Sequence, residues 1–530
     1  MQYIQGKSRT QAVLFPQCLD EIIAQDNEVR IIDIFVESIN LSDFNFATTL
    51  QSEGRPPYHP KTLLKLFIYG YLNTMRSSRT LEKECHRNVE VMWLMQQLAP
   101  DHNTISNFRR DNSKAIRKVF KYTVSIAKTF QLIGGRLIAG DSTKLRAQNS
   151  KKNNFNEKKI QQHLHYIENK LNEYEQALAA ADGDDNKQII QTEIELQNQR
   201  KEKYNDLSQQ LQQSGQTQIS TTDTESRQMI TRNNITEVAY NIQTTTDAKH
   251  CLPIDYKVTN TNDSKAMGNM VRRAQTILQQ KNITAVFDKG YHTGSELKMA
   301  ILHGCTTLVA VPGVASFAPD SHYNFDQFIY NPEQDTYTCP QLQILTTNGS
   351  WYQKSKQRYI YFVKHYKTNK CLSCPAIAKC TLNKKGRLLE RSEYQSYIEQ
   401  NQQNIQQHPE QYKKRQAIIE HNYGIIKRQW GFNYINTKQG MQRAAADVGL
   451  MFVAYNLRRI INIIGQTDLK KYLQVLVFYF YQICMFVKCI RAKMNPPNFY
   501  SIKSPFILAT VYWPLKWHIS SYSCTFKIGF

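Results

Sequence analysis

Residues 283–291 read Ile283-Thr284-Ala285-Val286-Phe287-Asp288-Lys289-Gly290-Tyr291. A short apolar run meets an aspartate and then a Gly-containing turn, the pattern of a buried strand with an acid at its end. The pattern recurs upstream, where Leu137-Ile138-Ala139-Gly140 runs into Asp141. A third acid, Glu420, lies in a helical stretch, seven residues before Lys427. Two strand-end aspartates and a helical glutamate can converge on a pair of divalent cations. Oxygen-only ligands suit Mg²⁺ or Mn²⁺ rather than zinc, and two such ions support in-line displacement at phosphorus. Asp141, Asp288 and Glu420 are therefore read as catalytic, metal-holding residues.

Working outward, the strands expected are Arg136–Asp141, Glu237–Thr245, Leu252–Val258, Ile283–Asp288 and Thr307–Pro312, each bounded by Gly, Asn, Asp or Pro. Helices fit at Ser264–Gln280, Ser295–Leu302 and Tyr412–Arg428. The order β-β-β-α-β-α-β-α, with acids after strand one, after strand four and inside the last helix, resembles the ribonuclease H-like fold. The expectation is an α+β multidomain protein. A helical DNA-binding domain spans 1–135, an α/β catalytic domain 136–465 and a hydrophobic C-terminal tail 466–530.

Two segments interrupt the catalytic domain. In 155–215, Ile160, Leu164, Ile167, Leu171, Tyr174 and Leu178 keep four-three spacing, a heptad seam. A helical hairpin is expected, turning at Ala181–Asp185. It serves as a dimerising or DNA-clamping arm or, equally, as a strut. The second segment, 316–395, holds Cys339, Cys371, Cys374 and Cys380. The Cys-x2-Cys core suggests a tetrahedral structural zinc; four ordinary reduced thiols are the alternative.

The 530-residue chain is long enough for two or three domains, and its formal net charge is +23. Such a surplus favours a polyanionic partner, nucleic acid first, because neutralising phosphates releases counterions. A basic but solvated surface is the plainer reading. Met1–Gln17 lacks the apolar core of a secretory signal, so the eleven cysteines are read as reduced thiols or metal ligands. Tyr472–Ile490 is apolar and aromatic, but it carries Gln474, Gln482 and Lys488. A docking helix is preferred to a membrane span, and no membrane partner is expected.

Between residues 55 and 130, short apolar-periodic helices alternate with tight turns. Ser78 and Thr104 are read as N-caps, and Asp101 and Asp111 as caps or ion-pair partners. With Arg109 and Arg110 the pattern is that of helix-turn-helix DNA binding or of a plain bundle with solvated arginines. Near the acids, Lys144, Arg146, Lys289, Tyr291, His292, Lys427 and Arg428 are candidate phosphate contacts. Lys427 is expected two helical turns beyond Glu420 on a similar face. Trp430 is either a base-stacking ring or a helix-end core residue. There is no Gly-rich phosphate loop with Lys-Ser/Thr and no Gly-x-Ser-x-Gly elbow.

Several motifs carry a family resemblance. They are Gly54-Arg55-Pro56-Pro57-Tyr58-His59-Pro60, Tyr69-Gly70-Tyr71-Leu72, Arg76-Ser77-Ser78-Arg79, Arg87–Leu94 and Pro100–Arg109, then Gly140-Asp141-Ser142-Thr143-Lys144, Asp288-Lys289-Gly290-Tyr291 and Glu420–Arg428. Over residues 8–465 the chain resembles bacterial insertion-sequence transposases of the DDE class. Ser142 stands where a Gly is common, and Asn422-Tyr423 where a Pro-Phe is common. The resemblance implies an enzyme that recognises terminal inverted repeats, cleaves to expose 3′-hydroxyls and joins them to target DNA with two Mg²⁺ ions. It implies a triad of Asp141, Asp288 and Glu420, Lys427 on phosphate, double-stranded DNA as partner, a homodimer on paired ends, and a cytoplasmic, nucleoid-associated location. A non-catalytic DNA-binding copy and a ribonuclease H-like nuclease are the competing readings.

Overall fold

The computed structural model describes residues 18–46, 56–231, 234–313, 318–356 and 359–491. The start of the first resemblance motif, Gly54-Arg55, and the tail beyond 491 lie outside the described residues. The helices used below are α1 (Glu28–Glu37), α2 (Pro60–Leu72), α3 (Ser78–Arg87), α4 (Val89–Leu94), α5 (His102–Asp111), α6 (Ser113–Thr129), α7 (Glu157–Ala180), α8 (Asp184–Ser214), α9 (Met267–Leu278), α10 (Gly294–Leu302), α11 (Gln395–Gln407), α12 (Pro409–Tyr423), α13 (Met441–Ile464) and α14 (Gln466–Arg491). The principal strands are β1 (Leu137–Arg146), β2 (Arg227–Ile230), β3 (Thr236–Asp247), β4 (Leu252–Thr259), β5 (Ile283–Phe287), β6 (Cys305–Val309), β7 (Ile329–Asn331), β8 (Thr336–Thr338), β9 (Ile344–Leu345), β10 (Tyr352–Lys356), β11 (Tyr359–Tyr366) and β12 (Leu389–Ser392). By contact the chain divides into two units: residues 1–133, 146–240 and 425–530 form one, and 134–145 with 241–424 the other.

The first unit is mainly helical. Pro60 opens α2, where its missing N–H costs nothing, and ten of that helix's thirteen residues are buried. Two caps differ from the sequence reading. Ser77, not Ser78, precedes α3 and makes no side-chain cap bond. Asp101, not Thr104, caps α5, its carboxylate accepting from the Asn103 and Thr104 amides at 2.9 and 3.0 Å; Thr104 sits inside the helix and donates its hydroxyl to the same carboxylate at 2.7 Å. Helix α13, placed by sequence in the catalytic domain, packs on α6 and α2.

A buried charge ties these helices together. Asp447 of α13 is fully buried. It accepts from the Tyr71 hydroxyl and from the Asn436 amide at 2.7 Å, and stands 3.3 Å from Arg76 and 3.6 Å from Arg109. Arg76 lies over the rings of Phe432 and Tyr434 at 4.2 and 4.6 Å.

The expected hairpin is present as α7 and α8, and Gly183 takes φ 95° at the turn between them. Ile160 of the predicted seam packs with Leu207, Leu211 and Phe155. Tyr166, Ile189 and Leu196 are exposed. Helix α14 docks on α1 and buries Leu469 and Leu473. Among the described residues, no single helix is long and apolar enough to cross a membrane.

The second unit is built on a sheet ordered β4-β3-β1-β5-β6. β3 and β4 are antiparallel; β1–β5 and β5–β6 are parallel, with Ala139 opposite Val286 and Phe287 opposite Val309. β6 ends at Val309 rather than at Pro312. There the buried Asn401 side chain takes the strand's next backbone groups, accepting from Val309 N at 2.9 Å and donating to Val309 O at 2.8 Å. The Cys-containing segment holds two further small sheets, β7-β8-β9 and β10-β11-β12, over a core of Phe328, Tyr337, Leu345, Tyr366 and Leu389.

Candidate active site

Asp141 and Asp288 lie on neighbouring parallel strands. The β1–β5 register pairs Ile138 with Ala285 and Ala139 with Val286, so both aspartates follow the pairing by the same step. Gly140 permits this approach: a Cβ there would stand 1.9 Å from a Phe287 ring carbon. Ala139 and Val286 share one core with Ile418 and Ile419 of α12. Glu420 comes next on that helix, so a single apolar cluster carries the backbone of all three acids.

Helix α12 runs along Asp141. Arg415 stands 3.5 Å from the Asp141 carboxylate. The Tyr423 hydroxyl donates towards the Asp141 carbonyl at 3.4 Å and the Ile242 carbonyl at 3.3 Å. Asn422, buried, donates to Thr246 Oγ1 at 2.7 Å. Glu420 itself is exposed and accepts from Gln416 at 2.9 Å.

The acids differ in environment. Burial pushes the Asp141 carboxyl up to about 6, against a hydrogen bond from the Ser142 amide, and the nearby carboxylates of Asp288 and Asp263 push the same way while Arg415 opposes them. Asp288 sits in the turn before Tyr291 and accepts from Gly290 N at 2.9 Å; a Cβ at Gly290 would lie 3.1 Å from that oxygen. Among the described residues, no three His, Cys, Asp or Glu side chains are already gathered as metal ligands. The donor chemistry nevertheless fits a hard divalent cation. Two adjacent carboxylates, both half-buried, repel each other until positive charge arrives, and Arg415 supplies part of that charge.

Asp263 was not singled out by sequence. It follows β4 in Asn262-Asp263-Ser264 and carries no periodic or motif signal. The fold brings it to Ser142 and Lys144: Ser142 Oγ donates to Asp263 Oδ2 at 2.7 Å, and Lys144 Nζ lies 3.3 Å from the same oxygen. Tyr291 is buried, surrounded by Asp141, Asp263 and Ser142.

The other predicted contacts fall in several places. Lys144 is half-buried, and Lys289 and Arg146 are exposed. His292 is half-buried, and burial holds its imidazole below the usual range. α12 ends at Tyr423, and the chain continues as a π-helical turn, Gly424–Gln429. The α-helical spacing that would put Lys427 on the face of Glu420 therefore does not run through to Lys427. Arg428 is exposed, and Trp430 is half-buried against Phe432, ring centroids 5.6 Å apart. Arg110 is partly exposed and pairs with Asp111 at 2.6 Å. Arg109 departs from the sequence reading. It is buried, donating to Tyr71 Oη at 3.0 Å and the Arg76 carbonyl at 2.9 Å. Its position on α5 points it at Asp447 rather than at solvent.

Cys339, Cys371, Cys374 and Cys380 all line one cavity of about 30 Å³. Burial pushes the Cys380 thiol up, Arg387 opposes this, and the other three thiols add to it. The four are neighbours without being drawn into a ligand cage.

Residues 17–111 match the family described as Transposase domain (DUF772), and residues 338–461 match the family described as Transposase DDE domain. Both matches are to transposase families, and together they support reading the chain as an insertion-sequence DDE transposase. The second match contains Glu420 and the four cysteines; Asp141 and Asp288 lie upstream of it. No curated protein matches the chain. Among solved structures, a piggyBac transposase synaptic complex with hairpin DNA, seen by cryo-electron microscopy, aligns with TM-score 0.27 and 9% identity over 95% of this chain and 89% of that one. A likeness at that score carries no argument.

Proposed function

We propose that this transposase binds the terminal inverted repeats of its element, cleaves to expose 3′-hydroxyls and joins them to target DNA, with Asp141, Asp288 and Glu420 as its catalytic carboxylates. The carrying observation is the shared core of Ala139, Val286, Ile418 and Ile419, which sets β1, the end of β5 and α12 against one another within two residues of each acid. The sheet order, with three parallel strands after an antiparallel pair, supports the ribonuclease H-like reading. The three carboxylates would hold two Mg²⁺ or Mn²⁺ ions, which supply activation of the attacking oxygen and stabilisation of the leaving one. The chain's own part is placement. Gly140 lets β1 and β5 close up, the Gly290 amide fixes Asp288, and Arg415 neutralises Asp141 until a cation takes over. Lys144 and Lys289 offer positive charge to the phosphate beside the acids.

Binding to double-stranded DNA at the nucleoid, as a homodimer on paired ends, completes the proposal. The net charge of +23 supports the DNA partner, and the α7–α8 hairpin offers an arm. Asp141→Ala is expected to abolish Mg²⁺-dependent cleavage of a duplex carrying the element end while leaving its gel shift intact. Cleavage retained by the variant would refute the assignment.

The four thiols around one cavity fit a structural zinc, whose binding deprotonates and draws in its cysteines. Zinc analysis of the purified protein should find about one ion per chain, lost in Cys374→Ser; a zinc-free parent with an unchanged melting point after chelation would exclude it.

A further inference from the structure

Asp263 accepts three hydrogen bonds, so most of its acceptor sites are taken. Its Oδ1 accepts from Asn241 Nδ2 at 2.6 Å. Its Oδ2 takes Ser142 Oγ at 2.7 Å and Lys144 Nζ at 3.3 Å. Asn241 is fully buried and also donates to the Thr261 carbonyl at 3.0 Å, so the carboxylate is held from behind by a rigid amide. Lys144 Nζ lies 3.4 Å from Ser142 Oγ as well. The ammonium is thus fixed from two sides, one and three residues along β1 from Asp141. A carboxylate held by three donors is a good orienting group.

We propose that Asp263 is a positioning residue that orients Lys144 through Ser142, and that the Lys144 ammonium so held is a donor for the phosphodiester cut beside Asp141. The proposal rests on the strand-cleavage reading. It predicts a specific pattern of non-additivity. Asp263→Asn and Lys144→Met should each slow cleavage about 10- to 100-fold, and the double variant should be no slower than Lys144→Met alone. Each Lys144 or Asp263 variant should also lower the slope of log affinity against log salt for the element-end duplex by about 1.

Thermal melting identifies any variant that fails to fold. If Asp263→Asn is one, Ser142→Ala takes its place in the cycle, with the same non-additivity required. Wild-type cleavage by Asp263→Asn, or a double variant that loses the product of the two single losses, would overturn the proposal. If the parent cuts no duplex, the cleavage reading fails and duplex affinity decides the network. Lys144→Met and Asp263→Asn must then weaken binding by the same factor, with no further loss in the double variant; unchanged or additive affinities would overturn it.

Discussion

Gly140 and Asp447 show how much one position controls. Gly140→Ala would place a methyl group 1.9 Å from the Phe287 ring, and neither β1 nor β5 can move without shifting its aspartate. A loss of about 1–3 kcal/mol is expected, read from urea unfolding, with cleavage falling further than stability explains. An unchanged midpoint would mean that the strands are not packed this closely. Asp447→Ala would strand Arg76 and Arg109 in a buried site, where removal of one partner costs about 3–5 kcal/mol. A midpoint within experimental error of the parent would contradict the buried network. Asp141 and Asp288 stood out because each ends an apolar run, although β1 continues past Asp141 to Arg146. Asp263 did not, because what matters about it is long-range: Ser142 and Lys144 reach it only when β1 folds beside β3 and the turn after β4. Arg109 misled for a related reason. Its charge suggested solvent, whereas its acid partner lies on α13, far along the chain.

At the scale of elements, five of the six strands of the main sheet and the α7–α8 hairpin follow from periodicity, because their apolar faces are regular. Element ends were harder to read. β6 stops where Asn401 replaces its next partner, and α12 gives way to a wider turn at Gly424, which no local propensity announces. The small sheets of the Cys-containing segment were missed because most of their strands are too short to show a period. One of their links is testable by pH. Burial raises the Asp335 carboxyl, but hydrogen bonds from Lys364, Tyr366 and Tyr330 outweigh it and hold it down at about 2. The group is therefore depressed on folding. Its contribution is fully present above the unfolded value near 3.8 and is lost as pH falls from there towards about 2. The parent should lose more stability over that window than Asp335→Asn, measured by denaturant midpoints. Parallel losses would assign the acid sensitivity elsewhere.

At the scale of the whole molecule, charge and connectivity both bear on DNA. The surplus of 23 positive charges implies duplex affinity that falls steeply with salt, since each neutralised phosphate releases counterions. Residues 146–240 and 425–530 group with the helical unit, which the sequence did not announce. The latter grouping depends on α13 pairing with α6 and α2, whose sequences carry no sign of their partner. The central claim is that Asp141, Asp288 and Glu420 act together in metal-dependent strand cleavage. It is tested most directly by incubating the parent and Asp288→Ala with Mg²⁺ and a labelled duplex carrying the gene's own flanking repeats. The account predicts cleavage at the repeat boundary by the parent, none by the variant, and equal gel shifts for both. Shifted but uncut DNA with the parent, or cleavage that survives in Asp288→Ala, would contradict it.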